Sequence, residues 1–294
     1  MNTPLTLTFV KCQLSITHGS WLFVNSCTNC IMQALNNWGF CDLSVNKNYD
    51  FNDFNRIVKL GFHTIAINTH VEEVCENEPK KKKKKGDPKE KKDYIPSAPT
   101  LPDVGIKSQL NILSRVTIEF SDSSITHKLN QSENLKNYDI IAVLPKTLQA
   151  FQYACSTLDV DIITFEPETR MPYRISRKLY RQAVERGIFF ELMYSPAIKD
   201  SSCRRNIISN AHNYHAIGKS KNIIITSGAE SSMYVRGVHD VVNLGFIFGL
   251  NSQESIEVLK NNSRKLILKA KGRKCGKHYM EIIPEDRNVD NKSL

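Results

Sequence analysis

The sequence predicts an α/β fold, specifically a (β/α) barrel of the TIM type. About eight short apolar segments with the character of strands alternate with helical segments along most of the chain. The segment Asp139–Leu144 is apolar after its first residue, as expected for a parallel strand buried on both faces. A doubly wound open sheet is the alternative. No glycine-rich phosphate-binding motif follows the first strand, which argues against the nucleotide-binding version of that sheet.

The first predicted unit of strand, helix and strand begins at Phe40–Val45. A helix follows at Asp50–Leu60, because its apolar residues fall near one face, and Gly61 ends it. The second strand, Phe62–Asn68, begins within the length of about thirty residues that is typical of a βαβ unit. The two strands are therefore expected to be parallel.

The remaining elements repeat this alternation. Residues 188–230 show it most clearly, with a strand, a polar loop, a basic helix, a short turn and a second strand. The other predicted strands are 111–120, 139–144, 161–165, 188–194, 222–227 and 265–269. The other predicted helices are 129–136, 148–158, 179–186, 201–217, 240–250 and 252–260.

The chain is expected to form one folded domain with two tails. The barrel domain is predicted at residues 40–270. Within it, a disordered basic insertion is expected at 76–105, where lysines and prolines leave nothing apolar to pack. A poorly structured N-terminal extension is expected at 1–39, and a polar C-terminal tail at 271–294.

The formal net charge of +10 indicates an anionic partner, with nucleic acid the first candidate and an acidic membrane surface the second. Much of the excess is local, because Lys80–Asp93 carries nine lysines against three acids. This segment is either a solvated insertion or a nuclear-localisation-like or RNA-contacting segment. No apolar run approaches the length of a membrane span, and no cleaved signal peptide is expected.

The eight cysteines are scattered, and reduced, buried thiols are the expectation for a chain of this size. Cys27 and Cys30 form the only close pair. No second pair stands at the spacing of a zinc ribbon, so we expect neither a metal nor a redox role for them.

The active sites of (β/α) barrels gather at the carboxyl ends of the strands. The side chains at those positions are Ser44, Asn46, Asn68, His70, Ser121, Asp122, Lys146, Glu166, Ser195, Lys199, Ser227 and Glu230. A metallohydrolase needs several histidines and aspartates here, and His70 is the only histidine. His212 and His215 are spaced to meet on one helix face, but no carboxylate lies near them in sequence. A Gly-x-Ser-x-Gly nucleophile motif is absent from the sequence.

Cations on folded elements favour RNA binding, because lysine and arginine hold RNA by its phosphates. The candidates are Lys146, Arg170, Arg174, Arg177, Lys199, Arg204, Arg205, Lys219, Lys221 and Arg236. Tyr173 lies among them and is expected to offer a surface for base stacking. The start of the 201–217 helix is expected to favour phosphate through its free N–H groups and dipole. An ordinary solvated face is the alternative.

Several of these segments resemble a known family. The run Phe190–Asp200, followed by Arg204 and Arg205, is similar to the p30 subunit of ribonuclease P and ribonuclease MRP. The further matching segments are Phe40–Leu43, Gly61–Asn68, Tyr138–Thr147, Leu158–Asp161, Asn222–Glu230, Arg236–Gly237 and Asp240–Leu250. The resemblance covers about residues 40–270.

The resemblance implies a TIM-type barrel related to metal-dependent phosphoesterases but lacking their metal ligands. Those enzymes carry a His-x-His pair on the first strand, where this chain has Cys41-Asp42-Leu43. The implied role is that of a non-catalytic subunit of the particle that removes 5′ leaders from precursor tRNA, and of its sister particle in ribosomal RNA processing. A metal-dependent phosphoesterase on the same barrel is the alternative.

The implied partners are the ribonuclease P/MRP RNA, a Pop5-like subunit and other sibling proteins, with precursor tRNA contacted indirectly and no membrane. The chain is expected to bind no cofactor, with Mg²⁺ placed on the catalytic RNA of the particle. The implied location is the nucleus and nucleolus.

Overall fold

Parallel strands arranged as a nearly closed barrel form the centre of the chain. The computed structural model describes residues 14–17, 20–23, 39–46, 48–73, 93–100 and 110–275. Among these residues, seven strands pair in the order of the chain, each parallel to the next. They are β1 (Phe40–Asn46), β2 (Phe62–Val71), β3 (Asn111–Phe120), β4 (Ile140–Pro145), β5 (Ile162–Ile163), β6 (Phe189–Met193) and β7 (Ile223–Thr226). The predicted TIM-type barrel is therefore confirmed.

Helices cover the outside of the barrel. They are α1 (Phe51–Lys59), α2 (Ile125–Gln131), α3 (Asn134–Asn137), α4 (Leu148–Ser156), α5 (Arg177–Glu185), α6 (Ser195–Lys199), α7 (Ser201–Gly218), α8 (Val238–Ile247), α9 (Ser252–Glu257) and α10 (Ser263–Cys275). A 3₁₀ turn, Ser232–Tyr234, precedes α8, and a π-helical segment, Val258–Asn262, joins α9 to α10. Polar side chains set several starts: Asp50 and Asp53 form a capping box on α1, as Asn251 and Glu254 do on α9.

A large apolar layer lies between the strands and the helices. The ring of Tyr180 on α5 stacks on Phe190 of β6 with ring centroids 4.4 Å apart, and Tyr214 of α7 packs 5.3 Å from the same phenylalanine. All three side chains are buried. Aromatic side chains of this size bury large areas and dominate the energetics of a core, so α5 and α7 are firmly fixed against β6.

The helix α10 closes the barrel at the amino ends of its strands. Its buried Leu266, Ile267 and Ala270 pack on apolar residues inside the barrel, among them Leu43 and Phe189. These three positions are spaced to face one side of a helix. The result is an apolar floor made by the strands and sealed by the last described helix.

The expected eighth strand at 265–269 is therefore wrong, because these residues lie within α10. Lysine and arginine side chains bond this helix to the rim of the floor. Arg264 donates to the carbonyl oxygen of Gly39 at 3.0 Å, and Lys269 donates to that of Val160 at 2.7 Å. A short apolar run alone fits either a strand or a helix. Here the packing on the barrel floor and these hydrogen bonds stabilise the helix. The helix α10 continues to Cys275, five residues beyond the predicted domain end at 270.

Hydrogen bonds of side chains join β1 to Ser227, the residue that follows the carboxyl end of β7. Among the described residues, a single bridge, between Val45 and Ala229, connects the two sides as strands do. The N–H of Ser227 donates to Asp42 Oδ1 at 2.9 Å, and its hydroxyl donates to the carbonyl oxygen of Ser44 at 3.0 Å. We call this junction the seam. It replaces the ladder that an eighth strand would supply.

Within the insertion expected at 76–105, the structure describes residues 93–100, which pack against the barrel. Ile95 is fully buried, and its carbonyl oxygen accepts a hydrogen bond from Asn134 at 2.8 Å. The hydroxyl of Tyr138 donates to the carbonyl oxygen of Ser97 at 3.2 Å. The buried isoleucine and these hydrogen bonds anchor the segment to the barrel. The lysine run at 80–85 lies outside the described residues.

Two further differences concern local structure. In the expected poorly structured extension, the structure describes an antiparallel pair of short strands, Leu14–Thr17 and Ser20–Phe23. The predicted helix at 129–136 is wrong in its bounds, because the chain forms the two short helices α2 and α3 there. The predicted tail beyond Cys275 lies outside the described residues.

Candidate nucleic-acid interface

Charged side chains pair with one another across the mouth of the barrel, at the carboxyl ends of β2, β3 and β4. His70 Nε2 lies 2.9 Å from Glu119 Oε1. Lys146 Nζ lies 3.1 Å from Glu119 Oε2 and 3.5 Å from Glu166 Oε2. Partial burial disfavours the charged amine, but the bonds to these carboxylates outweigh it and hold the Lys146 pKa above its ordinary value. The mouth is thus a region of compensated charge.

Below the mouth, a buried ion pair spans the barrel. Arg115 of β3 donates through both terminal nitrogens to the carboxylate of Glu191 on β6, each at 2.6 Å. Arg115 also donates to the carbonyl oxygen of Leu43 at 2.8 Å, and Thr226 donates to Glu191 at 2.7 Å. Burial opposes ionisation of Glu191, but the guanidinium and the hydrogen bonds outweigh it, so the Glu191 pKa lies below its ordinary value. The polar centre of the barrel is already filled by a cation.

The first strand offers no suitable set of metal ligands. Cys41 lies in the apolar floor, where burial raises its pKa to about 12. Burial also raises the pKa of Asp42 to about 6, and its Oδ1 accepts the N–H of Ser227 in the seam. Within the described part of the chain, no three His, Cys, Asp or Glu side chains are grouped so as to hold a metal ion.

The two histidines of α7 contact different partners. His212 Nε2 lies 3.2 Å from the carbonyl oxygen of Ile247, and His215 Nδ1 lies 3.0 Å from Ser220 Oγ. Each ring therefore contributes to a local hydrogen bond at its own position.

The ten predicted RNA contacts lie at two opposite ends of the barrel. Lys146, Arg170, Arg174, Arg177, Lys199, Arg204, Arg205 and Arg236 follow strands or begin helices, which places them at the carboxyl end. Lys219 and Lys221 lie between the end of α7 and the start of β7, which places them at the amino end. One flat RNA contact cannot include both groups.

Several of the cations at the carboxyl end already have partners. Lys199 Nζ bonds to Glu230 and lies 4.7 Å from the centre of the Tyr234 ring. Arg204 Nε donates to the carbonyl oxygen of Ala197 at 2.8 Å, and Arg236 donates to that of Met233 at 3.0 Å. These side chains therefore help to fix the 195–236 region as well as adding positive charge.

Two expectations about recognition are wrong. The ring of Tyr173 is turned inward: its hydroxyl donates to the carbonyl oxygen of Pro145 at 3.1 Å, and it packs 5.3 Å from Phe151. The N–H groups at the start of α7 are taken by Asp200, which accepts from Ser202 and Cys203, each at 2.8 Å. Neither a stacking surface nor an open helix start is present where we expected it.

The interior charges Arg115, Glu119 and Glu191 were missed by sequence reasoning. The sequence signal that could have found the first two is the alternation of side chains along a strand, which puts Arg115, Thr117 and Glu119 on one face of β3.

Among the described helices, none combines the length and the apolar composition needed to cross a bilayer.

The sequence and the fold can now be compared with known proteins. Residues 39–275 match the family described as RNase P subunit p30. The chain belongs to this family. The resemblance inferred from the segments around 190–250 is thereby confirmed.

Relatives in this family span most of the chain. The ribonuclease P protein subunit p30 of Mus musculus is 36% identical over 270 residues, which cover 87% of this chain and 95% of the mouse protein. The ribonuclease P/MRP protein subunit RPP1 of Saccharomyces cerevisiae is 28% identical over 177 residues, covering 60% of this chain and 59% of the yeast protein.

A solved structure shares the fold of this p30 family member. A chain in a structure titled "cryo-EM structure of archaeal Ribonuclease P with mature tRNA" aligns with a TM-score of 0.60 at 15% sequence identity. The alignment covers 83% of this chain and 99% of that chain.

Proposed function

We propose that the chain is a non-catalytic protein subunit of ribonuclease P and of its sister particle, ribonuclease MRP. The match of residues 39–275 to the RNase P subunit p30 family carries this proposal. The mouse relative, whose name places it in ribonuclease P, is matched over 95% of its length. The name of the yeast relative includes both particles.

In this proposal the chain supports the RNA of the particle, and the RNA with its Mg²⁺ removes the 5′ leader from precursor tRNA. The sister particle acts on ribosomal RNA precursors. The barrel suits a supporting role because Arg115 fills its polar centre and Lys146 and His70 pair with carboxylates at its mouth. The nucleus, including the nucleolus, is the proposed location.

The proposed partners are the ribonuclease P/MRP RNA, a Pop5-like subunit and further sibling proteins. Lysine and arginine side chains at the surface would contact the phosphates of the RNA. The candidates remain Lys146, Arg170, Arg174, Arg177, Lys199, Arg204, Arg205, Lys219, Lys221 and Arg236.

Affinity purification of the full-length tagged chain from cells tests the subunit role. We expect the RNA of the particle, a Pop5-like protein and cleavage of precursor tRNA to co-purify. A charge-reversal variant, Arg204→Glu with Arg205→Glu, should recover less RNA if this region contributes to assembly. Failure of the wild-type chain to recover RNA or cleavage activity would contradict the subunit role.

Metal analysis of the purified chain distinguishes the remaining alternative. A phosphoesterase on this barrel would carry stoichiometric metal and hydrolyse a model phosphodiester in a reaction that chelation stops. We expect neither property. Detection of both would replace the supporting role with a catalytic one.

A further inference from the structure

Among the described residues, a group of exposed cations lies beside the barrel mouth, on the loop between β5 and α5 and on the neighbouring helix. Arg170, Arg174, Arg177 and Lys178 lie on this loop and the first turn of α5, and Arg205 lies on the neighbouring α7. All five side chains are exposed, and none of them forms a hydrogen bond or an ion pair with another described residue. We call this set the basic platform.

We infer that the basic platform, rather than the barrel mouth or the amino end, is the surface that binds RNA, and that it holds the phosphates of a base-paired segment. The inference rests on the proposed function and narrows its ten candidates. Of those ten, Arg170, Arg174, Arg177 and Arg205 belong to the platform, and Lys178 is added to them.

Charge distribution separates the platform from the mouth. Lys146 is neutralised by Glu119 and Glu166, and Lys199 by Glu230. An RNA phosphate approaching these lysines would have to displace carboxylates that already bind them. The platform cations carry no such competitors, so their field is available to a polyanion.

Few unbound acids lie near the platform. Protein surfaces ordinarily intersperse charges of both signs, whereas five cations here face few acids. Glu166 is bound to Lys146, and Asp200 is bound to the N–H groups at the start of α7. Glu168 is exposed and is the nearest acid in sequence, so the platform has five cations against one neighbouring acid that no described cation binds.

The platform is held rigidly. Ile175 is buried in the core, between Arg174 and Arg177 in the chain, and Tyr173 packs inward on Phe151. Asn206 of α7 donates to the carbonyl oxygens of Pro167 at 3.1 Å and Glu168 at 3.2 Å, which ties the loop to the helix that carries Arg205. The backbone that carries the cations is therefore ordered before binding, and only the side chains lose conformational entropy when they meet a ligand.

The type of RNA follows from the side chains that the platform lacks. Recognition of single-stranded RNA relies on unpaired bases that stack against aromatic rings and against the planes of arginine guanidinium groups. The aromatic ring of this loop, Tyr173, is committed to the core, with its hydroxyl bonded to Pro145. Cations without a stacking ring suit a duplex, whose phosphates face outward and whose bases are covered by pairing.

Salt-dependent binding of the full chain to an RNA duplex of about 20 base pairs tests this inference. The platform variant carries Arg170→Gln, Arg174→Gln and Arg177→Gln. The control variant removes the same number of charges at the amino end, by Lys219→Gln, Lys221→Gln and Lys265→Gln, all at exposed positions. Fluorescence anisotropy is measured between 50 and 300 mM salt, and thermal melting establishes that both variants fold.

Each lost phosphate contact lowers the slope of log K against log salt by about 0.9. We expect the platform variant to lose about two to three units of slope and at least tenfold in affinity at about 100 mM salt. The control variant should lose less than one unit. Equal losses in both variants, or an unchanged slope in the platform variant, would overturn the choice of surface.

A single strand of the same length and composition tests the type of RNA. We expect it to bind more weakly than the duplex, and tighter binding would overturn the duplex assignment. Purification of the same variants from cells keeps the two proposals apart. If the wild type recovers the particle RNA and the platform variant recovers as much at raised salt, the surface is wrong and the subunit role stands. If the wild type recovers none, the subunit role itself fails.

Discussion

Removal of one charge from the buried ion pair should greatly destabilise the barrel. Glu191→Gln leaves the guanidinium of Arg115 inside the barrel without its counter-ion, and both side chains are at most 1% exposed. Breaking a buried pair in this way costs about 3–5 kcal/mol. Domains have an unfolding free energy of about 5–15 kcal/mol, so the loss is a large share of the total. At about 2–4 °C per kcal/mol, the melting temperature should fall by about 6–20 °C.

Urea unfolding followed by circular dichroism measures this loss. Glu230→Gln is the matched control, because it removes the same group from a pair in which Glu230 is 77% exposed, and exposed pairs contribute about 0–1 kcal/mol. The double variant Arg115→Met with Glu191→Leu leaves no buried charge, so it should be more stable than Glu191→Gln alone. A loss below about 1 kcal/mol in Glu191→Gln would refute the reasoning from the pair. So would a double variant whose loss of stability equals the sum of the losses caused by Arg115→Met alone and Glu191→Leu alone.

Three further changes test other features. Asp42→Asn should reduce the dependence of the unfolding free energy on pH. Burial raises the Asp42 pKa to about 6, so between about pH 4 and 6 the folded chain holds a proton that the unfolded chain releases. The stability of the wild type therefore falls as pH rises through this window. Equal slopes of urea midpoint against pH in both proteins would contradict this. Leu266→Ala should cost about 2–5 kcal/mol in urea unfolding because the side chain is fully buried in the floor, whereas the exposed Lys265→Ala should cost less than about 0.5 kcal/mol; similar losses would be evidence against the α10 floor. Gly218→Ala should lower the melting temperature, because a Cβ there would lie 1.9 Å from the ring of Tyr180; an unchanged value would mean that the ring can move aside.

Most of the barrel could be predicted from the sequence because its strands are short, apolar and separated by amphipathic helices. Ile140–Pro145 and Ile223–Thr226 are buried along their whole length, and such runs are visible without any structure. The segment around Leu266 failed because a short apolar run fits a strand as well as a helix. This segment forms a helix because it covers the open end of the barrel, and that open end exists only once the strands have assembled.

The charged interior could not be predicted in the same way. Arg115 and Glu191 are 76 residues apart, and nothing in either strand says that the two side chains meet. The inward turn of Tyr173 likewise depends on the partners that surround it in the fold. The position of Lys219 and Lys221 is different, because the order of helix and strand already places them at the amino end of a barrel.

The seam and the floor join the two ends of the chain's folded part. Asp42 bonds to Ser227 across 185 residues, and Arg264 bonds to Gly39 across 225 residues. During synthesis, β1 is the first strand of the barrel to emerge. It must wait for the end of β7 before the seam can form, and for α10 before the floor can close. Long-range contacts of this kind slow folding and leave surfaces exposed in the meantime. A nascent chain stalled before residue 263 would thus carry an open barrel, and premature termination there should yield a target for quality control rather than a shorter working protein.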